Sequence, residues 1–102
     1  MNTVKPTQPA DHSPTFAWTL TSGDKAAILP LPLGGKVLVQ VDGDLSGGVV
    51  DISGGLLEKH LAVLKSFVAE GVVQLPPVRF ILPEFADAPA GTVVTIIVSI
   101  AP

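Results

Sequence analysis

The chain has no cysteine and no tyrosine, and among its 102 residues it has one Trp and one Met. Without cysteine, a disulfide framework and a thiolate metal site are both excluded, so stability must come from packing and association. Charge is scarce as well. Asp, Glu, Lys and Arg make up 15% of the residues against 47% for the apolar set, which excludes ordinary disorder and leaves much apolar area to be covered. Some of that cover can be another subunit. Arg79 is the only arginine, the lysines are scattered and the net charge is −3, so no basic stripe exists to neutralise phosphates and nucleic acid is not an expected ligand. The N-terminal MNTVKPTQPADHSP lacks the apolar core of a secretory signal. The longest apolar run, VVTIIVSI at Val93 to Ile100, is too short to cross a bilayer as a helix. The expectation is a soluble protein made in the cytosol, with no membrane partner.

A chain of this length is one domain, able to bury a single core but only moderately stable alone. Residues 1–16 carry Pro6, Pro9 and Pro14 among polar residues without periodicity, which predicts an extended arm; residues 17–102 are left for the folded domain. Ala17 to Leu20 and Ala26 to Leu29 read as short strands around the turn Ser22-Gly23-Asp24. In LPLPLGG, Pro30 and Pro32 interrupt any ladder and place Leu31 and Leu33 at an edge or corner, where they are candidate interface residues. Lys36 to Val41 is the clearest strand, with Val37, Val39 and Val41 on one face. Asp42-Gly43-Asp44 and Ser46-Gly47-Gly48 then predict a hairpin turn into a second strand, Val49 to Ser53.

Leu56 to Ala69, LLEKHLAVLKSFVA, changes period. Leu57, Leu61, Leu64 and Val68 are spaced as one apolar stripe of an amphipathic helix; the alternative is a strand from Leu61 to Leu64 embedded in loops. Val72 to Leu75, Val78 to Leu82 and Thr92 to Ile100 read as further strands, separated by Pro76-Pro77 and by Pro89 to Gly91. The fold class expected is mainly β, a small antiparallel β-sandwich or barrel, jelly-roll-like, with a short helix at about 56–69 and the N-terminal arm.

Reactive chemistry is sparse. His12 sits beside Asp11 in the arm, where nothing holds partners in place, and His60 has no second ligand at zinc spacing and is expected on a helix flank. Asp42, Asp44 and Asp51 surround the predicted hairpin, but the twelve-residue calcium pattern is absent, and a carboxylate pair for glycoside hydrolysis would need aromatic platforms the chain lacks. The Gly-Gly pairs are followed by no phosphate-binding motif, and no serine lies in a nucleophile elbow. No enzyme, metal or cofactor is expected. Trp18 reads as a core or rim anchor. Arg79, in VRFIL, is a candidate to fork to Asp24, Glu84 or Asp87 or to face a partner subunit.

The order of these pieces is informative: W-T-L-T-S-G-D at Trp18 to Asp24, V-Q-V-D-G at Val39 to Gly43, G-G-V-V-D-I-S-G at Gly47 to Gly54, P-P-V-R-F at Pro76 to Phe80 and A-G-T-V-V-T-I-I-V at Ala90 to Val98. From Trp18 to Pro102 the chain resembles a family of small tailed-phage virion proteins, although Gly55 to Ala69 replaces that family's usual Ser-Asn-Asp-Gly and aromatic strand. The resemblance implies a capsid decoration, or cement, protein. Its partner would be the major capsid protein and its place the outer surface of the virion head, after synthesis in the host cytoplasm. Self-association as a trimer or dimer is expected with it. Other virion modules (tail, fibre or head–tail joining) and a carbohydrate-binding β module are the alternatives.

Overall fold

The computed structural model describes residues 3–6, 15–31 and 36–101. Ten strands follow in order: β1 (Thr3–Val4), β2 (Thr15–Thr21), β3 (Lys25–Ala26), β4 (Leu29–Pro30), β5 (Lys36–Asp42), β6 (Val49–Gly55), β7 (Ala62–Phe67), β8 (Gly71–Leu75), β9 (Phe80–Ala86) and β10 (Val93–Ala101). Eight of them form two four-stranded sheets, ordered β2-β10-β5-β8 and β4-β9-β6-β7. Every pairing within these two sheets is antiparallel.

The pairing follows one rule. Among the eight, the first strand pairs with the last (β2 with β10), the second with the seventh (β4 with β9), the third with the sixth (β5 with β8), and the fourth with the fifth (β6 with β7). This is one long hairpin, closed at its tip by residues 56–61. Rolling it up adds the pairs β10–β5 and β9–β6, which is the jelly-roll arrangement.

Alternation decides what lies inside. On β5, Val37, Val39 and Val41 are buried and on β10 Val94, Ile96 and Val98 are buried, while Trp18 and Leu20 come from β2. Val50, Ile52, Ile81 and Phe85 face them from the other sheet. The two inner faces close one core containing no buried polar or charged side chain among the described residues. Stability rests on apolar burial, at roughly 25 cal/mol per Å².

Two expectations are corrected. The predicted hairpin of Lys36 to Val41 with Val49 to Ser53 does not form, because β5 and β6 lie in different sheets. Residues 43–48 carry the chain across the core, a span of about 10 Å that six residues cover easily. Gly43 turns there with a φ of 120°, in the region that favours glycine, and its N–H is held by Glu70 Oε2 at 3.1 Å. The helix expected at about 56–69 is also absent: 56–61 is irregular and Ala62–Phe67 is β7, so the strand alternative is nearer to what forms. Strand β6 needs a second neighbour. A helix there would leave its outer backbone groups without a ladder.

Smaller differences follow from neighbours. The strand expected to stop at Leu82 continues through Pro83 to Ala86. Strand β4 reaches only Ile81 and Phe80, so at Pro83 β9 has a strand on one side only, and the missing N–H interrupts no ladder. The arm expected over 1–16 is partly built into the domain. Thr3–Val4 runs parallel to Lys25–Ala26, the Ala27 N–H donates to the Val4 carbonyl at 2.7 Å, and β2 already begins at Thr15.

Candidate interaction surface

The jelly roll has two ends, and their chemistry differs. At one end lie the turn 22–24 and the connections 43–48, 68–70 and 87–92. This end carries Asp24, Asp42, Asp44, Glu70 and Asp87, and no Lys or Arg stands in those segments. Backbone donors hold several of the acids: Asp24 Oδ2 accepts from Thr21 N at 3.1 Å, and Asp44 Oδ1 accepts from Ser46 N at 2.9 Å. Asp51 and Glu84 are neighbours across β6 and β9 a short way from this end, and the Ser66 hydroxyl donates to Asp51 Oδ1 at 2.5 Å. Among the described residues no three His, Asp or Glu side chains are grouped to hold a metal ion.

The opposite end holds the hairpin tip 56–61, the Pro76-Pro77 connection and Lys36. Its charged residues are Lys36, Glu58, Lys59 and Arg79. The tip is tight because Gly55 lies against the returning chain: a Cβ there would stand 2.5 Å from the His60 carbonyl oxygen. The His60 N–H donates to the Leu57 carbonyl at 3.1 Å, so His60 sits in a turn and not on the expected helix flank. Closing the turn this way leaves Leu56 and Leu57 pointing outward, each 62% exposed, with Val63 behind them at 58%. On the outer face of the same sheet, Phe80 and Leu82 are half-buried and Pro30 is exposed.

The residues singled out from the sequence fall in several places. Trp18 is fully buried and its Nε1–H donates to the Ala27 carbonyl at 3.0 Å. Arg79 has an exposed side chain, while its backbone ties two connections together: its N–H donates to the Gly55 carbonyl at 2.9 Å and its carbonyl accepts from Leu31 N at 2.7 Å. Leu31 is buried, so it belongs to the core and not to a surface. Pro6 is half-buried. Pro9, Pro14 and Leu33, with His12, lie outside the described residues. Leu56 stands outside the apolar stripe that the sequence pattern predicts, and Leu57 within it, yet the fold exposes both. The signal that could have found both is the pair Gly54-Gly55 before them, which marks a close backbone approach.

The described surface also has two depressions. One, of about 330 Å³, lies between 43–47 and 68–70; the other, of about 380 Å³, lies between Gly23–Ala26 and Leu82–Phe85. Both are open; Asp44, Ser46 and Glu70 stand in the lining of the first, and Asp24, Lys25 and Glu84 in that of the second. Among the described residues no helix is long and apolar enough to cross a membrane.

No protein-family model matches the chain, and no curated protein matches it. Solved structures do. A periplasmic inhibitor of g-type lysozyme from Aeromonas hydrophila superposes with a TM-score of 0.58 at 16% identity, over 97% of this chain and 96% of that one. The cupin domain of Drosophila melanogaster CENP-C gives 0.52 at 6% identity, over 93% and 65%. Peruvianin-I, a cysteine peptidase from Thevetia peruviana latex, gives 0.51 at 16% identity, over 84% and 48%. At these identities the likeness is one of fold, and a jelly roll hosts many functions.

Proposed function

We propose that this domain is a decoration protein of a tailed-phage head, which binds the outer surface of the assembled, expanded shell and stabilises it by bridging capsid subunits. The reading is supported by the ordered sequence resemblance from Trp18 onward. One observation carries it furthest: Leu56 and Leu57 stand side by side on the hairpin tip, each 62% exposed. Burying two such leucines against a partner is worth roughly 1–2 kcal/mol each, by area.

The polarity of the domain fits this role. The leucine tip, Pro76-Pro77 and Arg79 meet the shell, and the acidic end with Asp24, Asp44, Glu70 and Asp87 faces solvent, where like charge keeps particles apart. Stabilisation follows from linkage. A protein that binds only the expanded shell shifts its equilibrium by about 2.7 kcal/mol per site at a hundredfold excess over Kd. Many sites on one shell multiply the effect.

The test is thermal disruption of expanded shells with and without saturating protein. Shells that withstand a higher temperature with the protein bound support the reading; an unchanged disruption temperature rejects it. Inhibition of a g-type lysozyme is the companion assay, because the lysozyme-inhibitor neighbour shares the fold over its whole length. Stoichiometric inhibition would replace the decoration reading.

A further inference from the structure

Sheet edges are liabilities, and natural proteins guard them by shortening, bulging, covering or charging the strand. In the second sheet, β4 is two residues long and includes Pro30. Strand β7 carries an irregularity opposite Ile52/Ser53, and Lys65, paired with the buried Ile52, places its ammonium 5.9 Å from the Phe67 ring centroid. In the first sheet, β2 is flanked by β1 and β3. Among the described residues, strand β8 has none of these devices. Gly71–Leu75 is uncharged, pairs with β5 in unbroken register from Leu75 to Gly71, and stands last in its sheet.

The surroundings of β8 are equally neutral. Val72 is 65% exposed, and the register puts it beside Gln40 and puts Gln74 beside Leu38 on the outer face. No charge lies on either strand between Lys36 and Asp42, so nothing repels a second identical edge.

We infer that two copies of this chain pair β8 with β8 antiparallel across a two-fold axis, joining their first sheets into one of eight strands. With Val73 on the axis, Val72 meets Gln74 and Gly71 meets Leu75, so the pairing is self-complementary and free of charge opposition. Its length is bounded. The two ends of the ladder are equivalent: at each, Pro76 and Pro77 of one copy donate no N–H and end the pairing, and Glu70 of the other copy falls opposite Pro76 and not opposite another carboxylate, its Oε2 being held by Gly43 N. The contact therefore closes as a dimer and does not extend into a fibre. Because the paired strands run antiparallel, the two leucine tips lie at opposite ends of the dimer, so one tip can meet a shell while the other points away from it; that use rests on the decoration reading, while the pairing itself does not.

The experiment is sedimentation equilibrium of the full chain from about 1 to 300 μM, a range bracketing the weak-to-moderate affinities of small interfaces. The wild type should be a dimer that dissociates on dilution. Val72→Lys puts a charge on an exposed position and should weaken it by about tenfold or more at unchanged melting temperature, whereas Val63→Lys on the guarded β7 should leave it intact. Because the chain has no cysteine, Gln74→Cys offers one thiol; diagonal neighbours at about 7–8 Å should be joined by a short bismaleimide, while Ser66→Cys should not. A wild type that stays monomeric throughout, or a dimer indifferent to Val72→Lys, overturns the pairing. A monomer whose shell binding is lost with Val72→Lys would also overturn it and give the edge to the capsid protein. A dimer that ignores the shell would instead reject the decoration reading and keep the pairing.

Discussion

Trp18→Ala tests the account of the core. The indole is fully buried on β2, in register with Ile96 of β10, and its Nε1–H reaches the Ala27 carbonyl at 3.0 Å. That bond pins the connection between β3 and β4, where the chain passes from one sheet to the other. Truncation removes the largest buried side chain and leaves the Ala27 carbonyl without this donor. Aromatic-to-alanine changes in cores cost about 3–5 kcal/mol, and whole domains of this size hold only about 5–15 kcal/mol. The expected loss is therefore about a fifth or more of total stability. At about 4–8 °C per kcal/mol for a domain of this size, Tm should fall by at least about 12 °C in a thermal melt followed by circular dichroism. Trp18→Phe separates the two contributions, since it keeps most of the apolar volume and loses only the indole donor; it should cost about 1–2 kcal/mol. A Trp18→Ala protein that melts within about 2 °C of wild type would refute the argument, as would native Trp fluorescence characteristic of a water-exposed indole.

Gly55→Ala should destabilise by about 1–3 kcal/mol, because its Cβ meets the His60 carbonyl oxygen at 2.5 Å and backbone cannot move aside cheaply; equilibrium denaturation in urea measures it. The double change Leu56→Asp, Leu57→Asp should leave stability within about 0.5 kcal/mol, since both side chains are exposed, and a melt that drops sharply would show that the tip is packed. Far-UV circular dichroism of the whole chain should show a β spectrum without a helical component. A clear helical signal would contradict β7.

How much of this was legible depends on which physical signal each segment carried. Strands β5 and β10 announce themselves because one face of each is buried, and strict alternation of β-branched residues records that directly. Alternation says which residues share a face but not which strand lies alongside. Val49 to Ser53 reads the same whether β6 pairs with β5 or lies across the core, and that is why the hairpin expectation failed. The stripe Leu57, Leu61, Leu64 and Val68 suits a helix, yet Leu57 and Val68 are exposed at 62% and 74% in the fold; the need of β6 for a neighbour overrode the local pattern. The interaction surface was least legible for the same reason. Leu56 and Leu57 look like core residues until the turn at Gly55 and His60 aims them outward. The open edge of β8 exists only once the strand order is known.

The decoration reading is tested most directly by co-sedimentation of the purified protein with expanded heads, using unexpanded procapsids and the Leu56→Asp, Leu57→Asp protein as the two comparisons. The account predicts saturable binding of the wild type to expanded heads only, at a copy number set by their symmetry axes, with binding lost in the double variant. Binding to neither shell would contradict it, and equal binding by the double variant would remove the leucine tip from the contact.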